Sequence, residues 1–447
     1  MMKQQIDYEN GKIFPMILRF SIPAALSLLI SAIYNIVDRI FVGNYVGNVA
    51  LAALSICFPL SFMMIAFGLM CSAGGSTLFT LFRGRKEKEH ADAAFGNAFF
   101  LTVGFEVILM AVLLCFSRQL LKIFGVTETT YDMALAYYKI VSLGCVFQGL
   151  SFVFCDFTRV SGKPVMGMMV TAVGAVTNII LDAVFVAVAG WGVEGAAWAT
   201  VIGQMASALF GGFLIFGGKT MVRPGRKTLR FDFSIARQLL DCGFAFWIGQ
   251  MAMGFIALVY NGQLGTYGGD VAISVYAVIS SVMTFVIMPA SGISQGIQPI
   301  LGFNYGRGLG ERVKKVFIQA SFLSVGVTAV IWAGAQLFPA WIIRMFGGGE
   351  ELLKIGVPAL RANFIFAPVL GFVMLATTFF QSIGKPAASS IITLVRQVAA
   401  LIPFIYIFPI FLGTIGIFYA QPVSDFIATG ISIVLVAKEF RNLQENL

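Results

Sequence analysis

A chain of 447 residues that is 58% hydrophobic and only 11% charged departs from the roughly 25% charged composition of soluble domains. Its mean hydropathy of +0.89 makes lipid its solvent. A net charge of +9 would suggest nucleic acid in a soluble protein, but here the basic residues fall between apolar runs and follow membrane topology, so no nucleic-acid partner is expected.

Strand-like alternation is absent, which leaves helices as the spanning structure. In chain order the expected spans are 14–41, 49–81, 91–117, 131–155, 165–188, 195–217, 235–263, 270–303, 313–339, 350–380, 387–410 and 413–437. Each is close to or above the ~20 residues that cross a bilayer core. The first run lacks a small-residue cleavage site and is read as an uncleaved helix. The long second and eighth spans are expected to tilt or to extend beyond the bilayer.

Basic residues cluster in alternate loops: Arg83, Arg85, Lys86 and Lys88; Arg159 and Lys163; Lys219, Arg223, Arg226, Lys227 and Arg230; Arg307, Arg312, Lys314 and Lys315; and Lys385. Lys3, Lys12, Lys438 and Arg441 place both termini on that side. The opposite loops offer little beyond Arg118, Lys122 and Arg344. By the positive-inside rule both termini are cytoplasmic, which requires an even number of spans.

The sequence repeats at a spacing of 222 residues. Gly43, Tyr45 and Gly47 match Gly265, Tyr267 and Gly269. Ser72 and Gly74 match Ser294 and Gly296, Gly84-Arg85 matches Gly306-Arg307, and Phe124-Gly125 matches Phe346-Gly347. Gly162-Lys163-Pro164 matches Gly384-Lys385-Pro386. Six spans per half give both halves the same orientation, a parallel repeat whose lobes flank a central cleft and can rock for alternating access. The expected fold is thus an all-α membrane protein of twelve transmembrane helices in two pseudo-symmetric six-helix lobes. The lobes are 1–217 and 235–447, joined by a basic cytoplasmic linker, 218–234.

Ionisable groups inside a membrane are costly and are functional suspects by default. Asp38 lies late in the first span and Asp182 late in the fifth, with Asn178 four residues earlier on the same helix face. Thr200 lies early in the sixth span, so all four fall at similar depth in the outer part of one lobe. Oxygen ligands of this kind suit sodium, and two carboxylates held close tend to keep a proton. Either behaviour couples an ion gradient to transport. The bland reading pairs Asp38 with Arg39 and lets Asp182 hydrogen-bond between helices.

In the second lobe Tyr260 stands at the Asp38 position and Phe404 at the Asp182 position, so the ion site is expected in the first lobe alone. Arg396 and Asp425 lie at one depth and are read as a pair, structural or substrate-binding. Asp156 and Arg159 read as a cytoplasmic gate or an interfacial pair. Glu106 and Asp241 are weaker candidates.

Pro23 shares a helix with Asp38 and is read as a hinge, against a static kink. Pro59, Pro289, Pro368 and Pro403 also lie within spans. Abundant Phe and Met suit an adaptable apolar cleft, though most of them must face lipid or the packed core. The six cysteines sit in or beside apolar stretches without CxxC spacing, and His90 is the single histidine, so neither a disulfide framework nor a resident metal is expected. No phosphate-binding loop, HExxH, GxSxG or dinucleotide fingerprint is present; neither ATP-driven transport within this chain nor an enzyme is expected.

Three groups of residues resemble the multidrug and toxic compound extrusion (MATE) family along nearly the full length. They are Val37-Asp38-Arg39-Ile40-Phe41-Val42-Gly43; Gly296-Ile297-Gln298-Pro299 with Phe303-Asn304-Tyr305-Gly306; and Arg159-Val160-Ser161-Gly162-Lys163-Pro164 with its partner Gln381-Ser382-Ile383-Gly384-Lys385-Pro386. The resemblance implies antiport of amphipathic, often cationic, compounds against Na+ or H+. It also implies that Pro23 lets the first span bend. Asp38, Asn178, Asp182 and Thr200 match the cation positions of the bacterial DinF-like branch, and Tyr137 or Tyr138 matches a tyrosine near them. Branches with a second-lobe site carry acidic residues in spans seven and ten. Here those spans offer only Asp241 at a helix start and the edge residues Glu350 and Glu351. A multi-pass protein of the bacterial cell membrane, acting as a monomer on small amphipathic organic substrates, is the resulting expectation. The alternative is a flippase of a lipid or lipid-linked precursor with the same two-lobe architecture; an ion channel fits the repeat less well.

Overall fold

The computed structural model describes residues 7–124, 126–225, 228, 230–346 and 349–445. Arg226 and Lys227 of the basic linker, Lys3, and the Gly125 and Gly347 of one repeat match lie outside the described residues.

The architecture is all-helical. In the first half run α1 (Ile13–Tyr45), α2 (Asn48–Gly84), α3 (Lys88–Cys115), α4 (Ser117–Ile123), α5 (Tyr131–Val160), α6 (Pro164–Asp182) and α7 (Gly192–Phe216). The second half holds α8 (Phe233–Gly269), α9 (Val271–Gly306) and α10 (Gly310–Leu337), then α11 (Pro339–Met345), α12 (Glu350–Asn363) and α13 (Ala367–Ser382). It ends with α14 (Pro386–Leu412) and α15 (Thr414–Glu445). Eleven of these helices are long and apolar enough to span a membrane, and the α12–α13 pair, bent by 44°, supplies the twelfth span. That bend has a covalent cause: Pro368 sits in the first turn of α13 and cannot continue the preceding helix.

At 37 and 36 residues, α2 and α9 reach about 55 Å at the ~1.5 Å rise of a helix, well beyond a ~30 Å core. The sequence pattern did not mark the seven-residue helices α4 and α11. They are too short for a periodic signal, yet they occupy matching places after the third and ninth spans.

The repeated Gly-Lys-Pro has a local explanation. Gly162 and Gly384 take φ of 79° and 73°, a left-handed geometry that side chains resist. Their N–H groups close the preceding helices onto Arg159 and Gln381 carbonyls at 3.1 and 3.0 Å. Pro164 and Pro386 then open the next helix, where a missing N–H costs nothing. Gly269, with φ 61° and ψ −160°, divides α8 from α9 in the same economical way.

Packing groups the described chain into two compact units. One holds Leu26–Gln250, and the other holds Tyr8–Ala25 together with Met251–Leu447. The first half of α1 therefore belongs with the second unit, and the start of α8 with the first. The first unit has a core around Cys57, Leu60, Met64, Leu113, Tyr138 and Cys145. The second is centred on Tyr260, Leu264, Val286, Phe364, Ile405 and Phe418. All six cysteines are free, and five of them are buried.

Candidate ion-coupling site

The first unit assembles its site from α1, α6 and α7. Asn178 and Asp182 lie one turn apart on α6, and both face inward, at 2% and 0% exposure. Directly below them α6 and α7 touch through glycine: a Cβ on Gly174 would meet the Gly203 carbonyl at 2.9 Å, and one on Gly203 would meet the Gly174 carbonyl at 2.8 Å. This close approach brings the Asn178 amide to 3.5 Å from the Thr200 hydroxyl, a long hydrogen bond that leaves both groups room to turn to another partner. Asp182 is the last α-helical residue before a π-turn, Ala183–Val188, a wide-turn geometry frequent at functional positions. The turn is closed by Phe185, which stacks on Trp191 at 4.6 Å.

Asp38 enters from α1 and is also buried. Asp38 and Asp182 are near enough to act on each other electrostatically, and both act on Tyr137. Neither oxygen of Asp182 accepts a hydrogen bond, nor does Asp38 Oδ1 or Asn178 Oδ1. Arg39, the sequence neighbour of Asp38, places its guanidinium over the Phe58 ring at 4.9 Å instead of forming an ion pair. The result is a cluster of buried carboxylates and amide with the half-buried Thr200 hydroxyl, in which no basic side chain forms a salt bridge among the described residues.

Of the two tyrosines singled out in the sequence, Tyr137 lies beside the acidic pair, while Tyr138 is fully buried in the apolar core with its hydroxyl unpartnered. Tyr34, one turn before Asp38 on α1, also senses the Asp38 charge. Its i, i+4 spacing from Asp38 was the available signal for it.

The other candidates lie elsewhere. Asp156 accepts a hydrogen bond from Ser72 of α2 at 2.6 Å and pairs with Arg159 at 3.1 Å. That ties α2 to α5. Pro23 is buried within α1, two residues before the point where that helix passes from one compact unit to the other. In the second unit Arg396 Nε donates to Asp425 Oδ1 at 2.7 Å. Asp241 and Glu350 are exposed, and the side chain of Glu351 lies outside the described set.

Glu106 of α3 is a second enclosed carboxyl. It is 0% exposed, and neither oxygen accepts a hydrogen bond. The Cys145 thiol beside it donates to the Glu106 backbone carbonyl at 3.3 Å, and its side chain fills the space over Gly149, where a Cβ would approach Oε1 to 3.1 Å. With no ion pair to lose among the described residues, Glu106→Gln should cost under ~1 kcal/mol. Thermal unfolding of the purified variant checks this; a loss of many degrees would expose a partner for the carboxylate.

The model of the MatE family matches residues 23–184 and 246–407, most of the chain and once in each half. The chain belongs to the MatE family. Members are transporters, not enzymes, and the two matched segments are the two halves of the repeat. Across 97% of its length this MatE protein is 26% identical to the multidrug export protein MepA of Staphylococcus haemolyticus, over 95% of that protein. A MATE crystal structure in a bent conformation aligns over 100% of the chain and 99% of its own, at 23% identity and a TM-score of 0.93. An outward-facing multidrug resistance MATE transporter aligns over 99% of both chains, at 22% identity and a TM-score of 0.93. The two-lobe fold is therefore shared where few residues are.

Proposed function

We propose that this protein exports amphipathic, chiefly cationic, organic compounds across a bacterial cell membrane in exchange for Na+ or H+, by alternating access. The observation that carries the reading is the partnerless acidic cluster of Asp38 and Asp182 with Asn178 and Thr200. Carboxylate oxygens buried without a cation create a strong demand for one, and the amide and hydroxyl can complete either a sodium shell or a proton's hydrogen bonds. Tyr137 borders the cluster. Pro23 removes a helix hydrogen bond and gives α1 a place to bend as the cluster fills. The likeness to MepA supports drug-like cargo, and the loop charges support cytoplasmic termini. Rocking of the lobes supplies the alternating access, and one chain suffices.

The test is transport in proteoliposomes with imposed gradients. Dye extrusion should follow an inward Na+ or H+ gradient and collapse when that gradient is removed. Movement of a fluorescent phospholipid independent of either gradient would replace this reading with a flippase.

A further inference from the structure

The first unit carries a groove between α5 and α7 that ion coupling leaves unused. Its volume is about 440 Å³, and it is walled by Phe147, Leu150 and Phe154 of α5 and by Leu209, Phe213 and Phe216 of α7. The three α7 side chains are exposed, which within a membrane means exposed to lipid. Glycine makes the room: a Cβ on Gly212 would meet only the Phe154 ring edge, at 3.5 Å. From Leu209 to Gly217, where the groove reaches the end of α7, is about 12 Å along the helix, so it occupies one half of a ~30 Å hydrocarbon core. Positive charge gathers at that end. There α7 closes in a Schellman turn: Gly218, at φ 67°, donates to the Ile215 carbonyl at 3.1 Å, and Lys219 donates to the Leu214 carbonyl at 3.0 Å. The turn folds Lys219 back, and its ammonium lies 4.1 Å from the centroid of the Phe213 ring, itself a wall of the groove. Lys163 Nζ donates to the Lys219 backbone carbonyl. A Cβ on Gly218 would lie 3.5 Å from Arg223 Nη1, so that guanidinium rests against the same turn. The acid nearby, Asp92, accepts from the Arg223 backbone N–H at 3.3 Å and feels the charges of both Arg83 and Arg223. Neither Lys219 nor Arg223 forms a salt bridge among the described residues.

We infer that this groove is a site for an anionic glycerophospholipid, with one acyl chain lying between α5 and α7 and the phosphate held by Lys219 and Arg223. Charge and place together choose the occupant. Apolar walls at hydrocarbon depth suit a methylene chain, and two cations free of carboxylate partners at the chain's polar end each attract an anionic headgroup. A choline headgroup would bring a third cation to the same spot and is disfavoured. The inference goes beyond the export reading and stands without it.

The test is native mass spectrometry of the full chain, released from detergent with added dioleoylphosphatidylglycerol or dioleoylphosphatidylcholine, two lipids with the same chains. Wild-type protein should hold one phosphatidylglycerol more tightly than phosphatidylcholine. Lys219→Gln and Arg223→Gln should each cut that preference about fivefold, the worth of one basic residue beside an anionic headgroup, and leave phosphatidylcholine binding as it was. Gly212→Leu fills the groove and should weaken both lipids alike. Leu209→Ala, which lowers one wall at a lipid-exposed position, should act in the same direction and decides the matter if leucine at position 212 prevents folding. Equal affinity of the wild type for the two lipids overturns the site. Binding that depends on the two cations but ignores both groove variants also overturns it, because a basic surface then attracts the headgroup without seating a chain. Binding that depends on the groove but ignores both cation variants overturns it as well.

Discussion

Asp182→Asn should reduce gradient-driven efflux to the level of empty vesicles while leaving a folded protein in the membrane, and Asp38→Asn should do the same. The argument turns on which effect the substitution removes. Breaking a buried ion pair by deleting one partner usually costs ~3–5 kcal/mol, because the other charge is stranded. Neither carboxylate has an ion-paired partner among the described residues: Asp182 has two unbonded oxygens, and Arg39 packs on Phe58. An amide of the same shape also escapes the burden of burying a charge. Size-exclusion profiles and thermal unfolding should therefore be unchanged or improved. On the proposed mechanism, what disappears is the ability to take up and release a cation, and efflux then has no gradient to draw on. Asn178→Ala and Thr200→Ala remove one neutral ligand each and should raise the ion concentration needed for half-maximal efflux by about tenfold, roughly the worth of one hydrogen bond to a charged group. Efflux that persists in both aspartate variants would remove the site from the mechanism.

The four-residue core of that cluster was readable from sequence because charge in an apolar span is rare and helical spacing fixes which residues share a face. The twelve spans were readable for the same reason, with the tenth broken in a way only Pro368 hinted at. Other features left no comparable mark. Gly174 and Gly203 set the α6–α7 approach that brings Asn178 to Thr200, but each is one of 48 glycines in the chain. The π-turns after Asp182 and at Arg396 depend on tertiary packing and have no composition of their own. Glu106 was visible as an intramembrane acid, yet its enclosure against Gly149 requires the three-dimensional neighbours. The exchange of helix halves between the compact units is also invisible to a repeat search, because each half-helix matches its counterpart whichever unit it packs into.

That exchange rests on backbone contact, and Gly243→Ala should disrupt it severely. A Cβ on Gly243 of α8 would lie 2.0 Å from the Met70 carbonyl oxygen of α2, and one on Gly74 of α2 would lie 2.1 Å from the Leu239 carbonyl oxygen of α8. Non-bonded heavy atoms rest at ~3.5 Å, and the obstacle is backbone on both sides, so no rotamer change relieves it. Close glycine contacts also supply much of the attraction between helices in lipid, where burial of apolar surface adds little. Overpacking typically costs ~1–3 kcal/mol, and forcing two main chains apart belongs at or above the top of that range. The repeat predicts the same sensitivity in the second unit, where a Cβ on Gly296 would lie 2.6 Å from the Ser21 Cα. Gly326→Ala and Gly334→Ala are the controls: both sites lie within α10 with nothing in reach of a new methyl, and alanine favours a helix over glycine by up to ~1 kcal/mol. The four variants, followed by thermal unfolding and by the yield of monodisperse protein, should split two against two. Equal behaviour in all four would mean that the helices at Gly243 and Gly296 do not approach at backbone distance, and that the half-helices are held by side-chain packing alone.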